Sequence, residues 1–208
     1  MDEQSTLRRR SAIARILADR GDTLVVTGLG SPTYDCAAVG DHPLNFYLWG
    51  AMGSAVTVGL GLALAQPKRR VLVVTGDGEM LMGLGALATA AAKKPDNLAI
   101  AVIDNEHYGE TGMQPTHTSA GVDLAGIALT CGFRQTATVR QMSELDAAVP
   151  MLHTAKGPVL VVLKVSSARD PLVLPPWDGP FLKSRFRQAL LGTQAAWRAN
   201  ALRRSRAR

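Results

Sequence analysis

VLVVTGDGEMLMGLGALATAAAKKPDNLAIAVIDNEHYGET, residues 71–111, holds one strand–helix–strand unit, and its reading decides the fold. Val71 to Thr75 is a continuous apolar run, short enough for a strand covered on both faces. Gly76-Asp77-Gly78 follows, and Met80, Leu84, Leu87 and Ala91 then recur at the spacing of one helix face. Lys93, Lys94 and Pro95 end that predicted helix, the lysines matching the negative end of its dipole. A second run, Ala99 to Ile103, carries Asp104-Asn105 to the same sheet edge. Parallel strands joined by a helix put their carboxyl ends side by side, so Asp77 and Asn105 are expected to converge. A carboxylate and an amide oxygen, beside a helix N-terminus and glycine backbone, describe a seat for a divalent cation carrying a diphosphate. Taken alone, a GDG triplet is also an ordinary tight turn from strand to helix.

The flanks repeat the alternation of strand and helix. Residues 5–20 predict an amphipathic helix, with Leu7, Ile13, Ile16 and Leu17 apolar and Gly21 closing it. Leu24 to Thr27 predicts a strand, and Gly28-Leu29-Gly30-Ser31-Pro32 the turn after it. NFYLWGAMGSAVTVGLGLALAQP, from Asn45, is read as a helix whose glycines and alanines let another backbone approach closely. Glu106 to Gly121 is polar, irregular and too long for a plain connector, so it is expected to cover the site. Asp123 starts a helix that runs to Cys131 and Gly132. Thr136 to Val139 is a short strand, Ser143 to Ala155 a helix with Ser143 as its cap, and Pro158 to Val165 the last buried strand. The whole predicts an α/β fold, a doubly wound parallel sheet flanked by helices with its ligands at the carboxyl edge. Residues 1–168 form the expected ligand-binding domain, and 169–208 a Pro-rich loop, a basic helix over Phe181 to Trp197 and a basic tail.

Composition limits the functions open to such a fold. Apolar residues make up 47% and charged residues 19% of the 208, an ordinary globular balance. No apolar run approaches a membrane span, and the N-terminus lacks the apolar stretch of a signal peptide. Cys36 and Cys131 are isolated and read as reduced thiols of a cytoplasmic protein. The net charge of +6 sits at one end: residues 169–208 carry nine Lys or Arg against two Asp, whereas the first 168 carry fourteen basic and fifteen acidic residues. A solvated terminus accounts for Arg203, Arg204, Arg206 and Arg208, so neither nucleic acid nor membrane is the expected partner.

The spaced motif resembles the signature of thiamine-diphosphate enzymes, GDG followed some two dozen residues later by N or NN. Here 26 residues separate Gly78 from Asn105, and Asp104 takes the place of the first Asn. The resemblance implies Mg2+ held by Asp77, Asn105 and the backbone carbonyl of His107, with diphosphate oxygens and water completing the octahedron. It implies cofactor contacts from Gly76, Gly78, Tyr108 and Gly109, and from the amides of Gly30 and Ser31. LWGAMG resembles the segment that places a bulky apolar wedge beneath the cofactor, and Met52 lies 25 residues before Asp77, the family's usual interval. The wedge would press the two cofactor rings into a V, a case of proximity catalysis, and the Gly50 carbonyl would accept from the aminopyrimidine. Glu79, beside the GDG, departs from the small residue the family often has there, and would weaken diphosphate binding unless turned away.

YGETGMQPTHT is similar to the corresponding loop of sulfopyruvate and phosphonopyruvate decarboxylases. It offers Thr111, Gln114, Thr116 and His117 as polar groups near the reacting centre, with His117 either a proton shuttle or a surface histidine. The family's cofactor also needs a glutamate from a separate pyrimidine-binding domain, for which this chain has no room. The resemblance therefore implies a split enzyme like the sulfopyruvate decarboxylase β subunit: a hetero-oligomer whose partner supplies the glutamate and whose substrate is a small 2-oxoacid. Alternatives are a carboligase of the acetolactate synthase kind, a 2-oxoacid oxidoreductase subunit, against which two unclustered cysteines argue, and a non-enzymatic cofactor-binding regulatory module.

Overall fold

The structure, a computed structural model, describes residues 7–196. In chain order its elements are α1 (Arg9–Leu17), β1 (Leu24–Thr27), α2 (Ser31–Val39), β2 (Asn45–Tyr47), α3 (Ala55–Ala65), β3 (Val71–Gly76), α4 (Asp77–Met82) and α5 (Gly85–Lys93). There follow β4 (Leu98–Asp104), the two-residue strands β5 (His107–Tyr108) and β6 (Gln114–Pro115), α6 (Leu124–Cys131), β7 (Gln135–Val139), α7 (Met142–His153), β8 (Val159–Lys164) and α8 (Gly179–Leu191). Six strands form one sheet in the order β2-β1-β3-β4-β8-β7, every pairing parallel. This is the doubly wound sheet expected.

Alternation along the central strands builds two cores. Val71 and Val73 of β3, with Leu98, Ile100 and Val102 of β4, pack toward α3, α5 and α6. Leu72 and Val74, with Ala99, Ala101 and Ile103, pack toward α1, α2 and α7. Strands covered on both faces need no polar positions, which is why these segments read as unbroken apolar runs.

Five local readings are corrected. The helix expected from Asn45 begins only at Ala55: Asn45–Tyr47 is an edge strand, Val25 pairing with Asn45, and a loop with Gly50 and Gly53 at positive φ carries Met52. The helix expected after the GDG is two helices, because Gly83 packs on the Gly53 carbonyl so closely that a Cβ there would overlap it. α2 was not foreseen and starts at Ser31, inside the expected turn. The first helix spans Arg9–Leu17 rather than 5–20, with residues 1–6 outside those described. Ser143 lies in the first turn of α7, not at its cap; Gln141 is the cap, and Glu144 accepts hydrogen bonds from the Arg140 amide (2.6 Å) and the Gln141 side chain (3.1 Å).

The basic helix starts at Gly179, capped by Asp178, whose side chain accepts from the Phe181 amide at 3.0 Å. It packs on β2, with the Phe186 ring edge-on to Phe46 at 5.5 Å. Trp197 and the arginines of the tail lie outside the described residues. No helix among the described residues is long and apolar enough to cross a membrane.

Candidate active site

Sheet order places the site. β1 and β3 are neighbours, yet the chain leaves β1 toward β2 on one side and leaves β3 toward β4 on the other. Connections that diverge from two adjacent parallel strands open a crevice at their carboxyl ends, where open α/β sheets bind ligands. A cavity of about 90 Å³ lies there. The loop after β1 lines it with Leu29, Gly30 and Ser31, and the end of β3 with Gly76, Asp77, Gly78 and Glu79. The segment after β4 adds Asn105, His107, Tyr108 and Gly109, and Met52 reaches it from the loop before α3.

Pairing of Gly76 with Ile103 sets Asp77 and Asp104 one step beyond the same rung, so convergence of the two tips follows from register. Asp77 is only 2% exposed and has no basic side chain paired with it among the described residues. Burial pushes its pKa up to about 6, the Thr116 hydrogen bond works against this, and the charge of Asp104 adds to it. Asp104, equally buried, is paired with Lys164, its Oδ2 2.8 Å from Nζ. Lys164 also contacts Glu106 at 2.7 Å. Asn105 forms a tight turn: its side-chain oxygen accepts from the His107 amide at 3.1 Å, and His107 Nδ1 donates to its carbonyl at 2.8 Å.

This donor chemistry fits a hydrated divalent cation carrying an anion. A buried carboxylate without a counter-cation is costly, and a metal ion relieves that cost. Among the described residues no group of three His, Cys, Asp or Glu could hold a metal by itself. One carboxylate with amide and carbonyl oxygens leaves coordination positions for ligand oxygens and water, which is how Mg2+ is usually bound. Helices α2 and α4 both begin at the cavity wall, and the positive ends of their dipoles favour a negatively charged ligand.

Other expected residues are distributed unevenly. Gly30, Ser31, Gly78, Tyr108 and Gly109 all line the cavity, and the Tyr108 ring lies so close to Gly78 that a Cβ there would overlap it. Gly50 is exposed and outside the lining, at positive φ. His117 is exposed on a 3-10 turn, His117–Ala120, and does not line the cavity. Glu79 is turned inward: it accepts from the Thr75 hydroxyl at 2.7 Å and fills the space beside Gly28 that a side chain there would need. Burial raises its pKa; Thr75 and the amides of Ala55, Gly53 and Leu29 pull it back. Thr118, Lys164 and Arg9, which lines the cavity from α1, escaped the sequence reading. The one available signal was Lys164, a lone charge at the end of an apolar strand.

Fold and site together define an α/β protein whose sheet-edge crevice is suited to an anionic ligand. Residues 29–163 match the family described as thiamine pyrophosphate enzyme, C-terminal TPP binding domain, and the chain belongs to that family. It is 46% identical over 127 residues to sulfopyruvate decarboxylase subunit beta of Methanothermobacter thermautotrophicus, covering 61% of this chain and 68% of that one. To the subunit of the same name from Methanocaldococcus jannaschii it is 34% identical over 187 residues, covering 88% and 97%. To phosphonopyruvate decarboxylase of Streptomyces viridochromogenes it is 42% identical over 158 residues, 76% of this chain but only 39% of that one. Among solved structures, a Mycobacterium smegmatis protein described as a thiamin diphosphate-dependent enzyme superimposes with a TM-score of 0.68 at 26% identity. That match covers 79% of this chain and 33% of the other.

Proposed function

We propose that this chain is the diphosphate-binding subunit of a thiamine-diphosphate-dependent carboxy-lyase, which converts a small 2-oxoacid to an aldehyde and carbon dioxide. The observation that carries the reading is Asp77, buried and without a salt-bridge partner among the described residues, beside Asn105 at the crevice between β1 and β3. Asp77, Asn105 and the His107 carbonyl hold Mg2+, and the amides opening α2 and α4 offset the diphosphate charge. Met52, at the cavity and 38% exposed, is available as the apolar prop under the cofactor. The bound cofactor supplies the nucleophilic carbon and the electron sink; the protein positions it and excludes water.

The relatives named as β subunits support a separate partner chain, which on this reading carries the pyrimidine-binding domain and the catalytic glutamate. The sulfopyruvate and phosphonopyruvate named for the relatives support a substrate with a second anionic group at C3. The test is calorimetric titration with thiamine diphosphate and Mg2+, followed by assays of carbon dioxide and aldehyde with and without the partner. Asp77→Ala is expected to abolish metal-dependent cofactor binding, and unchanged binding refutes the assignment of the seat. Robust turnover by this chain alone refutes the split enzyme, and a hydroxyketone product refutes the lyase.

A further inference from the structure

The cation seat is tied to the loop that follows it by two hydroxyls no other feature uses. The Thr116 hydroxyl donates to Asp77 Oδ2 at 2.5 Å. The Thr118 hydroxyl donates to Asp104 Oδ1 at 2.8 Å, lies 3.3 Å from Asp77 Oδ2, and sits 2.9 Å from the Thr116 oxygen. Both threonines are buried although their neighbours His117 and Ser119 are exposed, so the loop is pinned at these two points. Backbone bonds from the Thr116 amide to the Glu106 carbonyl (2.8 Å) and from the Ser119 amide to the Thr116 carbonyl (3.1 Å) hold the hydroxyls in place.

We propose that Thr116 and Thr118 are positioning residues for the cation seat: Thr116 fixes the Asp77 carboxylate through Oδ2, and Thr118 draws Asp104 toward Lys164. The proposal rests on the reading of Asp77 as a cation ligand. Each hydroxyl has one proton to give. With Thr116 spending its proton on Asp77 and Thr118 on Asp104, the contact between the two hydroxyls leaves the pair no other arrangement that serves both acids. No side-chain donor among the described residues reaches Asp77 Oδ1, which remains the oxygen for the cation. A carboxylate locked through one oxygen meets the metal without losing rotamer freedom at that step, the usual effect of outer-shell hydrogen bonds on metal ligands. Asp104 is a second carboxylate that shares the Thr118 hydroxyl's reach with Asp77, and by holding it on Lys164 Thr118 keeps it from competing for the cation.

The experiment uses Mn2+ as the probe, with thiamine diphosphate in excess, on the chain assembled with its partner subunit and on the chain alone. Free Mn2+ is read by electron paramagnetic resonance, and folding by circular dichroism. Thr116→Val, which keeps shape and loses the hydroxyl, is expected to weaken Mn2+ by about 10- to 100-fold. Thr116→Ser, which restores the hydroxyl, is expected to restore the affinity, a rescue that a merely structural role would not give. Wild-type affinity in Thr116→Val, with Asp77→Ala abolishing binding, overturns the proposal while leaving the seat standing. Unchanged affinity in Asp77→Ala overturns the seat itself and the proposal with it. If Thr116→Val does not fold, the pair Thr116→Ala and Thr116→Ser is compared in the same way, and equal affinities overturn the proposal.

Discussion

Among the described residues Lys164 is the cation paired with the buried Asp104, and the cost of Lys164→Met can be worked from the geometry. The Nζ–Oδ2 separation is 2.8 Å, with Asp104 1% and Lys164 17% exposed. At an effective dielectric constant of about 20, that contact has a gross attraction of about 6 kcal/mol. Asp104 keeps two donors without the lysine, the Thr118 hydroxyl at 2.8 Å and the Glu106 amide at 3.1 Å, and water can reach the vacated edge. Breaking a buried pair from one side typically costs 3–5 kcal/mol, so the retained donors bring the expected loss to about 2–4 kcal/mol. For a chain of 208 residues this lowers the melting temperature by about 4–16 °C. Asp104→Asn in the same background removes the stranded charge while keeping an acceptor for Thr118 and Glu106, so the double variant is expected to recover most of the loss. Chemical denaturation of the four proteins gives the coupling energy directly. A Lys164→Met protein as stable as the parent, or a double variant no better than Lys164→Met, refutes the argument that Lys164 is there to balance Asp104.

Three further perturbations test other joints of the structure. Asp77 has its pKa pushed up to about 6 by burial, against an unfolded value near 3.8, so the folded state binds the proton more tightly. Without divalent cations the protein is therefore expected to gain about 2–3 kcal/mol as pH falls from about 7 through 6, the gain being complete only below the unfolded value of 3.8; denaturation at stepped pH checks this, and Asp77→Asn should make the profile shallower. Gly83→Ala forces a Cβ onto the Gly53 carbonyl and is expected to cost about 1–3 kcal/mol by denaturant titration, moving the loop that carries Met52. Met52→Ala, at an exposed position beside the cavity, is expected to leave the melting temperature within about 2 °C but to lower kcat by about 10-fold or more at unchanged cofactor affinity. An equal loss of cofactor affinity would make Met52 a binding residue instead of a prop.

Linear sequence determined the parts of this protein governed by short-range regularities. Buried parallel strands must be apolar at every position, so Val71 to Thr75 and Ala99 to Ile103 were legible, and the residues at their ends were fixed to one sheet edge by the handedness and parallelism of the crossover. Cavity lining by Gly76, Asp77, Gly78, Asn105 and their neighbours follows from that placement. What the tertiary structure decided concerns contacts between distant segments. The helix after the GDG breaks at Gly83 because Gly53, thirty residues earlier, lies against it. Asn45–Tyr47 is a strand because β1 offers it an open edge, an attraction no three-residue pattern encodes. Pairing of Asp104 with Lys164 and of Asp77 with Thr116 spans 60 and 39 positions, brought within hydrogen-bond reach only by the packing of β4 on β8 and the fold-back of the loop. A period in the sequence reports which face of an element is covered, but partners far along the chain are chosen by the sheet order that brings them together.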